Sequence, residues 1–192
     1  PAELAKAAQR LRATGAFDSV AVAEADDIGA GNTLPITMTV AESKPRRFGA
    51  GVELSSVEGL RLTSYWMHRN AFGAAENFRV EGEIAGIGGG TGGVDYSVAT
   101  SLTIPAIYGP HLDLLATAAV SREDEPDYLL DKAEVEVVAV RRIGDDLTVS
   151  GGAGYLTARE VTTAGERRYS LLTLPVAATL DRLDDPAKAA NG

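Results

Sequence analysis

Hydrophobic and polar residues alternate along most of the chain after residue 47, and this pattern predicts a series of β-strands. Side chains of a strand point alternately to its two faces, so each run has one apolar face and one polar or small face. Gly, Pro and Asp residues separate the runs, as turns require. The alternating runs lie at 48–55, 60–68, 78–84, 94–104, 112–121, 133–139, 147–155 and 172–180. The pattern therefore predicts a mainly β fold with about eight antiparallel strands.

The first part of the chain follows a different pattern and predicts a small α+β module. Residues 2–13 are rich in helix formers, and Gly15 supplies a stop signal. Two strand-like runs follow, at 17–23 and 34–40. A charged, proline-containing segment then interrupts the pattern, so we place a domain boundary between residues 44 and 45, giving domains 1–44 and 45–192. A module of this size is too small for a core of its own, which predicts the end of a larger module.

Two architectures produce alternating strands: a soluble sandwich that buries its apolar faces, and a membrane barrel that turns them toward lipid. Two of the runs, 94–104 and 112–121, span ten or more residues. Strands of soluble proteins cluster near about 5–6 residues, whereas tilted membrane strands need about 9–11. Carboxylates within the runs, at Glu81, Glu83, Glu134 and Glu136, fit a water-filled barrel interior. The pattern favours an antiparallel transmembrane β-barrel, and a soluble β-rich envelope domain remains the alternative.

The connections favour one orientation of this barrel. If the chain enters from the periplasm, the turns at 70–76, 105–110 and 143–146 lie on the periplasmic side. The opposite connections are the glycine-rich 86–93, the acidic 123–127 and the segment 161–165. The last hairpin is predicted to be longer and more flexible, as extracellular loops are. The short connection at 56–59 departs from this contrast.

Composition excludes several classes of protein. The formal net charge is −9, with 18 Lys and Arg against 27 Asp and Glu, and no basic stripe appears, so a nucleic-acid partner is not expected. Cysteine is absent, which excludes disulfides and thiolate metal sites. The sequence contains no run of about 20 apolar residues, so it predicts no transmembrane helix. The chain also starts without a signal-peptide pattern, which we interpret as a fragment of a longer precursor.

Candidate chemistry is sparse, and the sequence predicts no enzyme, no cofactor and no metal site. His68 and His111 lack further ligands at metal-binding spacing. The glycine run 86–93 lacks the Lys-Ser/Thr pair of a phosphate-binding loop. Trp66 and Tyr65 are candidates for an aromatic girdle at the membrane surface.

Three segments, taken in order, resemble the BamA/TamA family of bacterial outer-membrane assembly proteins, closest to its TamA branch. The helix and hairpin ending in residues 39–42 and followed by 49–52 resemble the last POTRA repeat running into a barrel. Residues 66–76 resemble the second-strand signature of the family, and 180–186, with Gly192, are similar to its D-x-R-D-D-P turn. Leu183 departs from that turn, since the family usually has a polar residue there. The signature residues are Trp66, His68, Arg69, Asn70, Phe72, Gly73 and Glu76.

The resemblance implies a non-enzymatic factor in the Gram-negative outer membrane, with its POTRA part in the periplasm. Implied partners are outer-membrane lipid, unfolded β-barrel or autotransporter clients and a periplasm-spanning inner-membrane protein. Clients would enter through a lateral gate at the first barrel strand, in which Gly49 and Gly51 weaken pairing. That strand comprises Phe48, Gly49, Ala50, Gly51, Val52, Glu53, Leu54 and Ser55.

Two further expectations follow from the resemblance. The family barrel has about twice the strands found here, so the chain is expected to hold the N-terminal half of a barrel. A half barrel has two unpaired edges and an exposed apolar face, so we expect this fragment alone to self-associate. A barrel that secretes one partner polypeptide, of the two-partner type, remains an alternative function.

Overall fold

The structure, a computed structural model, describes residues 2–25, 27, 29, 31, 33–90, 92–144 and 146–181, and for residues 2, 3 and 13 it describes the backbone only. Within these residues one helix precedes eleven strands. The elements are α1 (Ala2–Ala13), β1 (Phe17–Glu24), β2 (Ile36–Glu42), β3 (Arg46–Ser55), β4 (Gly59–Arg69), β5 (Asn77–Ile87), β6 (Asp95–Ile104), β7 (Leu112–Asp124), β8 (Tyr128–Ile143), β9 (Leu147–Thr162), β10 (Gly165–Thr173) and β11 (Val176–Leu180).

The N-terminal elements form a helix and an antiparallel hairpin, as the sequence predicts. The helix α1 packs on β1, and β1 pairs with β2. A few small side chains form the core of this module, with Ala8, Ala16 and Val20 buried. Ser43 ties its end to its start, since the Ser43 amide donates to the Ala16 carbonyl over 2.8 Å and its hydroxyl donates to Asp18 over 2.6 Å.

The strands β3 to β11 form one antiparallel meander in which neighbours in sequence are neighbours in the sheet. β10 and β11 both pair with β9, and the register is continuous across the break between them. Thr173 lies opposite Gly154 and Val176 lies opposite Gly151, so β10 and β11 are one strand interrupted at Leu174 and Pro175. Proline has no amide hydrogen, which removes one bond of the ladder. The prediction of about eight long antiparallel strands is thereby confirmed.

The sheet has one apolar face and one polar face. A row of directly paired residues on the apolar face consists of Phe48, Trp66, Val80, Thr100, Ala118, Val135, Tyr155 and Leu172. The adjacent row on the polar face consists of Gly49, Tyr65, Glu81, Ala99, Ala119, Glu134, Leu156 and Leu171. The four strand carboxylates singled out by the sequence all lie on the polar face, as expected.

Exposure distinguishes the outside of the sheet from its inside. Met67, Ala85 and Ala158 are buried, and all three belong to the polar face, where side chains crowd together. Large apolar side chains of the other face, such as Val120 and Val135, are more than half exposed. Among the described elements, each strand of this sheet contacts only its sheet neighbours, so none covers the apolar face. A soluble sandwich would bury this face in a second layer.

Several predicted boundaries are wrong. The segment 161–165 was predicted to be a long loop, but β9 continues to Thr162 and β10 starts at Gly165, which leaves a tight turn of two residues. Val161 and Thr162 are β-branched and extend the strand. The predicted loop 123–127 also shortens, since β7 ends at Asp124. In the N-terminal hairpin, β2 starts at Ile36 and not at Leu34, because Pro35 precedes it.

The described α1 is too short and too polar to cross a membrane, and it is the one helix among the residues described. Of the family-like turn at 180–186, Arg182 to Pro186 lie outside the described residues, as does Gly192.

Candidate functional site

The first strand of the large sheet, β3, lies at an edge. It pairs with β4 along its whole length, from Arg46 opposite His68 to Ser55 opposite Gly59. In the described part of the chain no strand pairs with its other side. Phe48, Val52 and Leu54 project from the apolar face with 72%, 73% and 81% of their surface exposed. The strand proposed as a gate is therefore a free, apolar edge in this structure.

The two glycines of β3 make room for side chains of β4. A Cβ atom at Gly49 would clash with the ring of Tyr65, and one at Gly51 would lie 2.7 Å from the hydroxyl of Thr63. The Tyr65 ring thus lies across the backbone of Gly49. Arg79 of β5 stacks on the same ring, with its guanidinium carbon 4.0 Å from the centroid, and ion-pairs with Glu81 over 2.8 Å. These contacts fix the polar face next to the first strand.

A hollow of about 540 Å³ lies above these residues on the polar face. It is open and mixed in character, as a water-filled interior is. Its lining includes Gly49, Gly51, Thr63, Tyr65, Arg79, Glu81, Glu83 and Ser97.

Trp66 and His68, the first two signature residues, lie on the apolar face. The Trp66 ring lies 5.9 Å from the ring of His68 and 6.1 Å from that of Phe78, centroid to centroid. Nδ1 of His68 is buried without a hydrogen-bond partner among the described residues. His68 therefore packs beside the ring of Trp66. Tyr65 cannot belong to the same aromatic girdle, because it points to the opposite face.

The remaining signature residues form the connection between β4 and β5. The Arg69 amide donates to the Pro45 carbonyl over 2.7 Å, and the Asn70 amide donates to the Glu76 carbonyl over 2.6 Å. Asn70 has φ +59° and Gly73 has φ +101°, so both adopt backbone conformations that most residues avoid. The side-chain oxygen of Asn70 accepts from the Ala75 amide over 2.9 Å. The signature segment is thus a turn whose first and last residues are joined by hydrogen bonds.

Glu76 holds the inside of this turn. Its side chain is buried, and one carboxylate oxygen accepts from the amides of Phe72 and Ala74 over 3.2 and 3.1 Å. Burial raises the pKa of the carboxyl, but the backbone amides outweigh burial and hold the pKa below its ordinary value of 4.5. Glu76 is therefore charged at neutral pH, and its carboxylate accepts the hydrogen bonds that these amides would otherwise donate to water.

The turn displays one aromatic side chain. Phe72 is 75% exposed, although its own amide is fixed by Glu76. Tyr108, in the next turn on the same end of the sheet, is 87% exposed. Aromatic residues are frequent where a membrane protein meets the headgroup region. The sequence predicts the turn from its Asn-Ala-Phe-Gly segment. It does not predict the internal role of Glu76, because a carboxylate next to small residues is not specific for such a role.

Within the described ranges no group of three or more His, Asp or Glu side chains lies close enough to hold a metal ion. The absence of an enzymatic activity and of a cofactor stays a prediction.

Comparisons with known proteins concern the fold. No model of a protein family matches the chain, and no curated protein sequence matches it. Among solved structures, BamA from Haemophilus ducreyi lacking POTRA domains 1–3 is similar, with a TM-score of 0.68 over 98% of this chain and a sequence identity of 13%. The match covers 40% of that chain, so the present chain spans less than half of its length. The large sheet of this protein has the fold of a BamA-like barrel that is not closed within the described residues.

Proposed function

We propose that this chain is part of a bacterial outer-membrane protein that folds and inserts other β-barrel proteins, without enzymatic activity. The supporting observation is a sheet of long strands that exposes an apolar face beside a free first strand. An apolar face of this size is stable when it contacts lipid. The likeness of the sheet to the BamA barrel supports the same placement.

The free edge of β3 suggests how a client is bound. An edge strand presents unpaired amide and carbonyl groups, which an incoming strand satisfies by β-augmentation. The glycines of β3 are covered by Tyr65 and Thr63 on the polar face, while the edge itself stays open. A client strand that pairs with β3 would place its own apolar side chains next to Phe48 and Val52, facing lipid.

Finer assignments rest on the sequence resemblance. We place the chain nearest the TamA branch, with α1, β1 and β2 as the end of the last POTRA repeat. The clients would then be autotransporters, and the POTRA part would reach toward an inner-membrane partner through the periplasm. The boundary between the modules, at residues 44 and 45, belongs to the same proposal.

Crosslinking in living cells tests this proposal. Cysteine is introduced into the full natural chain at Ala50 of β3, and into the terminal strand of a β-barrel client. We expect a disulfide-linked product during client synthesis. The control places cysteine at Thr100 in β6, which is paired on both sides and offers no edge. Equal crosslinking at both positions, or none at Ala50, would contradict pairing at the first strand.

Depletion of the protein separates assembly from secretion of a single partner. If the protein is an assembly factor, its depletion should lower the amount of several folded outer-membrane barrels, measured by their heat-modifiable migration in gels. Loss of one secreted polypeptide, with all barrels intact, would instead identify the two-partner secretion type.

A further inference from the structure

One group of charged residues lies on the apolar face, where charge is least expected. It comprises Arg122 of β7, Asp131 of β8, Arg159 of β9, and Glu166 and Arg168 of β10. Arg122, Asp131, Arg159 and Arg168 are direct partners in one row, and Glu166 lies on the same face two residues before Arg168. We call these five residues the charged row.

Opposite charges alternate along the charged row. Asp131 lies 3.8 Å from Arg122 and 3.5 Å from Arg159, and Glu166 lies 2.9 Å from Arg159 and 2.8 Å from Arg168. Within the charged row three guanidinium groups face two carboxylates, on a chain of net charge −9.

The arginines keep hydrogen-bonding capacity for a ligand. The contact of Arg122 with Asp131 is longer than a hydrogen bond. The side chains of Arg122 and Arg159 are 37% and 42% exposed, and that of Arg168 is 74% exposed. Each guanidinium offers five N–H donors in a planar fork that suits phosphate oxygens.

The charged row lies at the level of the headgroups. On β8 the next charged residue of the apolar face is Arg141, ten residues from Asp131, with four apolar residues on that face between them. Ten residues of a strand span about 33 Å, or about 25 Å across a membrane at the tilt usual for barrel strands. That is the height of the apolar band of an outer-membrane barrel. The row thus lies at the end of the band remote from the turn at 70–76.

The row is local and not part of a ring around the barrel. In the same row, β4, β5 and β6 carry Leu62, Ile84 and Tyr96, which are uncharged. The charge is therefore confined to β7–β10.

An apolar hollow of about 320 Å³ lies on the sheet next to the charged row. Its lining includes the next two rows of the apolar face, and small side chains such as Ala118 and Ala133 create the depression. Those two rows contribute Val98, Val120, Ala133 and Thr157, then Thr100, Ala118, Val135 and Tyr155. One residue pair of a strand spans about 7 Å, so the hollow starts one such step from the guanidinium groups.

From this juxtaposition we propose that the charged row and the hollow form one site for a membrane lipid with a phosphate headgroup. The arginines bind the phosphate, and an acyl chain lies in the hollow. Asp131 and Glu166 hold the guanidinium groups in place between them. The inference rests on the proposed membrane position of the apolar face, and it adds a defined ligand class to that face.

Native mass spectrometry of the full natural chain in detergent tests the site. The probes are dioleoyl phosphatidic acid, dioleoylglycerol with the same chains but no phosphate, and inorganic phosphate. We expect retention of phosphatidic acid in preference to both other probes. Equal retention of dioleoylglycerol would overturn the role of the arginines, and full competition by inorganic phosphate at equal concentration would overturn the role of the hollow.

Variants assign the binding to these residues. The triple substitution Arg122→Gln, Arg159→Gln and Arg168→Gln is expected to weaken phosphatidic acid binding about 100-fold, at about fivefold for each arginine. The matched control replaces three arginines of the polar face: Arg61→Gln, Arg79→Gln and Arg167→Gln. An unchanged affinity in the first variant, or an equal loss in the control, overturns the proposal.

Three further measurements keep the outcome clear. Arg168→Gln alone changes the most exposed guanidinium, so it reports on binding if the triple variant fails to fold, and it should cost about fivefold. Ala133→Phe fills the hollow and should weaken phosphatidic acid binding while leaving the arginines intact.

Incorporation of the unmodified protein into lipid nanodiscs is scored separately. A protein that enters bilayers without selecting phosphate lipids contradicts this site alone, whereas failure to enter bilayers contradicts the proposed function.

Discussion

At the scale of single residues, the turn at 70–76 depends on one buried carboxylate. Glu76 accepts hydrogen bonds from two amides that no other group satisfies in the turn, and these bonds keep the charged form favoured. Bonds to a charged acceptor are about twice as strong as neutral ones. The turn should therefore be sensitive both to substitution of Glu76 and to acid.

Glu76→Gln removes the charge but keeps a carbonyl acceptor, so we expect a loss of about 1 kcal/mol in the local stability of the turn. Amide hydrogen exchange at Phe72 and Ala74 should become about fivefold faster at neutral pH. The matched control is Glu58→Gln, in an exposed turn at the other end of the sheet, where exchange at Phe72 should not change.

The same carboxylate predicts the pH dependence of the turn. The pKa of Glu76 is lowered in the folded state, so its contribution is complete above 4.5 and is lost as the pH falls through the lower, folded value. Protection of Phe72 and Ala74 in the unmodified chain should fall in this acidic range. The Glu76→Gln variant should show no such step, and a step of equal size in both would assign it to another group.

Trp66 and Tyr65 are neighbours in sequence that face opposite sides of the sheet. Trp66 is the single tryptophan of the chain and lies on the apolar face. In bilayers, its fluorescence should be quenched by brominated acyl chains and little by aqueous acrylamide. Moving the indole by one residue, with Tyr65→Trp and Trp66→Phe, should reverse the two quenching efficiencies. Quenching by acrylamide in both chains would contradict the lipid-facing position of Trp66.

Residue-level predictions from the sequence succeed where alternation alone decides the face. The face of the strand glutamates follows from the period of two. The contacts of Tyr65 with Gly49 and Arg79 do not, because they depend on strand register, which a single run of residues leaves open. The charged row was missed for the same reason, since its members come from four strands.

At the scale of elements, the runs of alternating residues predict all eight long strands but misplace several ends. Alternation extends beyond the predicted limits in β8 and β9, which are 16 residues each, because charged residues at their ends continue the strands. In the structure such charges pair across the strands, as Arg159 and Glu166 do. Ion pairs across strands allow charged residues to continue a ladder in place of ending it.

The pairing of β3 with β4 can be tested at Gly49. Gly49→Ala would displace the Tyr65 ring, and we expect a loss of about 1–3 kcal/mol in the free energy of unfolding from overpacking. The control is Gly82→Ala in β5, where a Cβ atom meets only ordinary contacts. The double variant Gly49→Ala and Tyr65→Ala should recover part of the loss, measured as a coupling energy from urea unfolding in detergent. Additive losses would contradict the contact.

At the scale of the whole molecule, the sheet combines three properties that single strands do not show. One face is apolar across eight strands, the opposite face is polar, and both outer strands, β3 at one side and β10 with β11 at the other, pair on one side only within the described residues. A barrel hides its edges by closing. An open sheet with these properties exposes both its edges and its apolar face.

The 192-residue chain in dilute, detergent-free buffer is therefore expected to form dimers or larger species, measured by sedimentation velocity. Two pairs of substitutions distinguish the edge from the face. Val52→Lys with Leu54→Lys places charge on the edge strand β3, and Val98→Lys with Val120→Lys places the same charge on central strands of the apolar face. If strands pair at the edge, the first pair should reduce association more than the second, because charge on an edge strand opposes strand addition. Equal reductions would assign association to the apolar face. A monodisperse monomer of the unmodified chain would contradict the expectation that an open sheet of this kind self-associates.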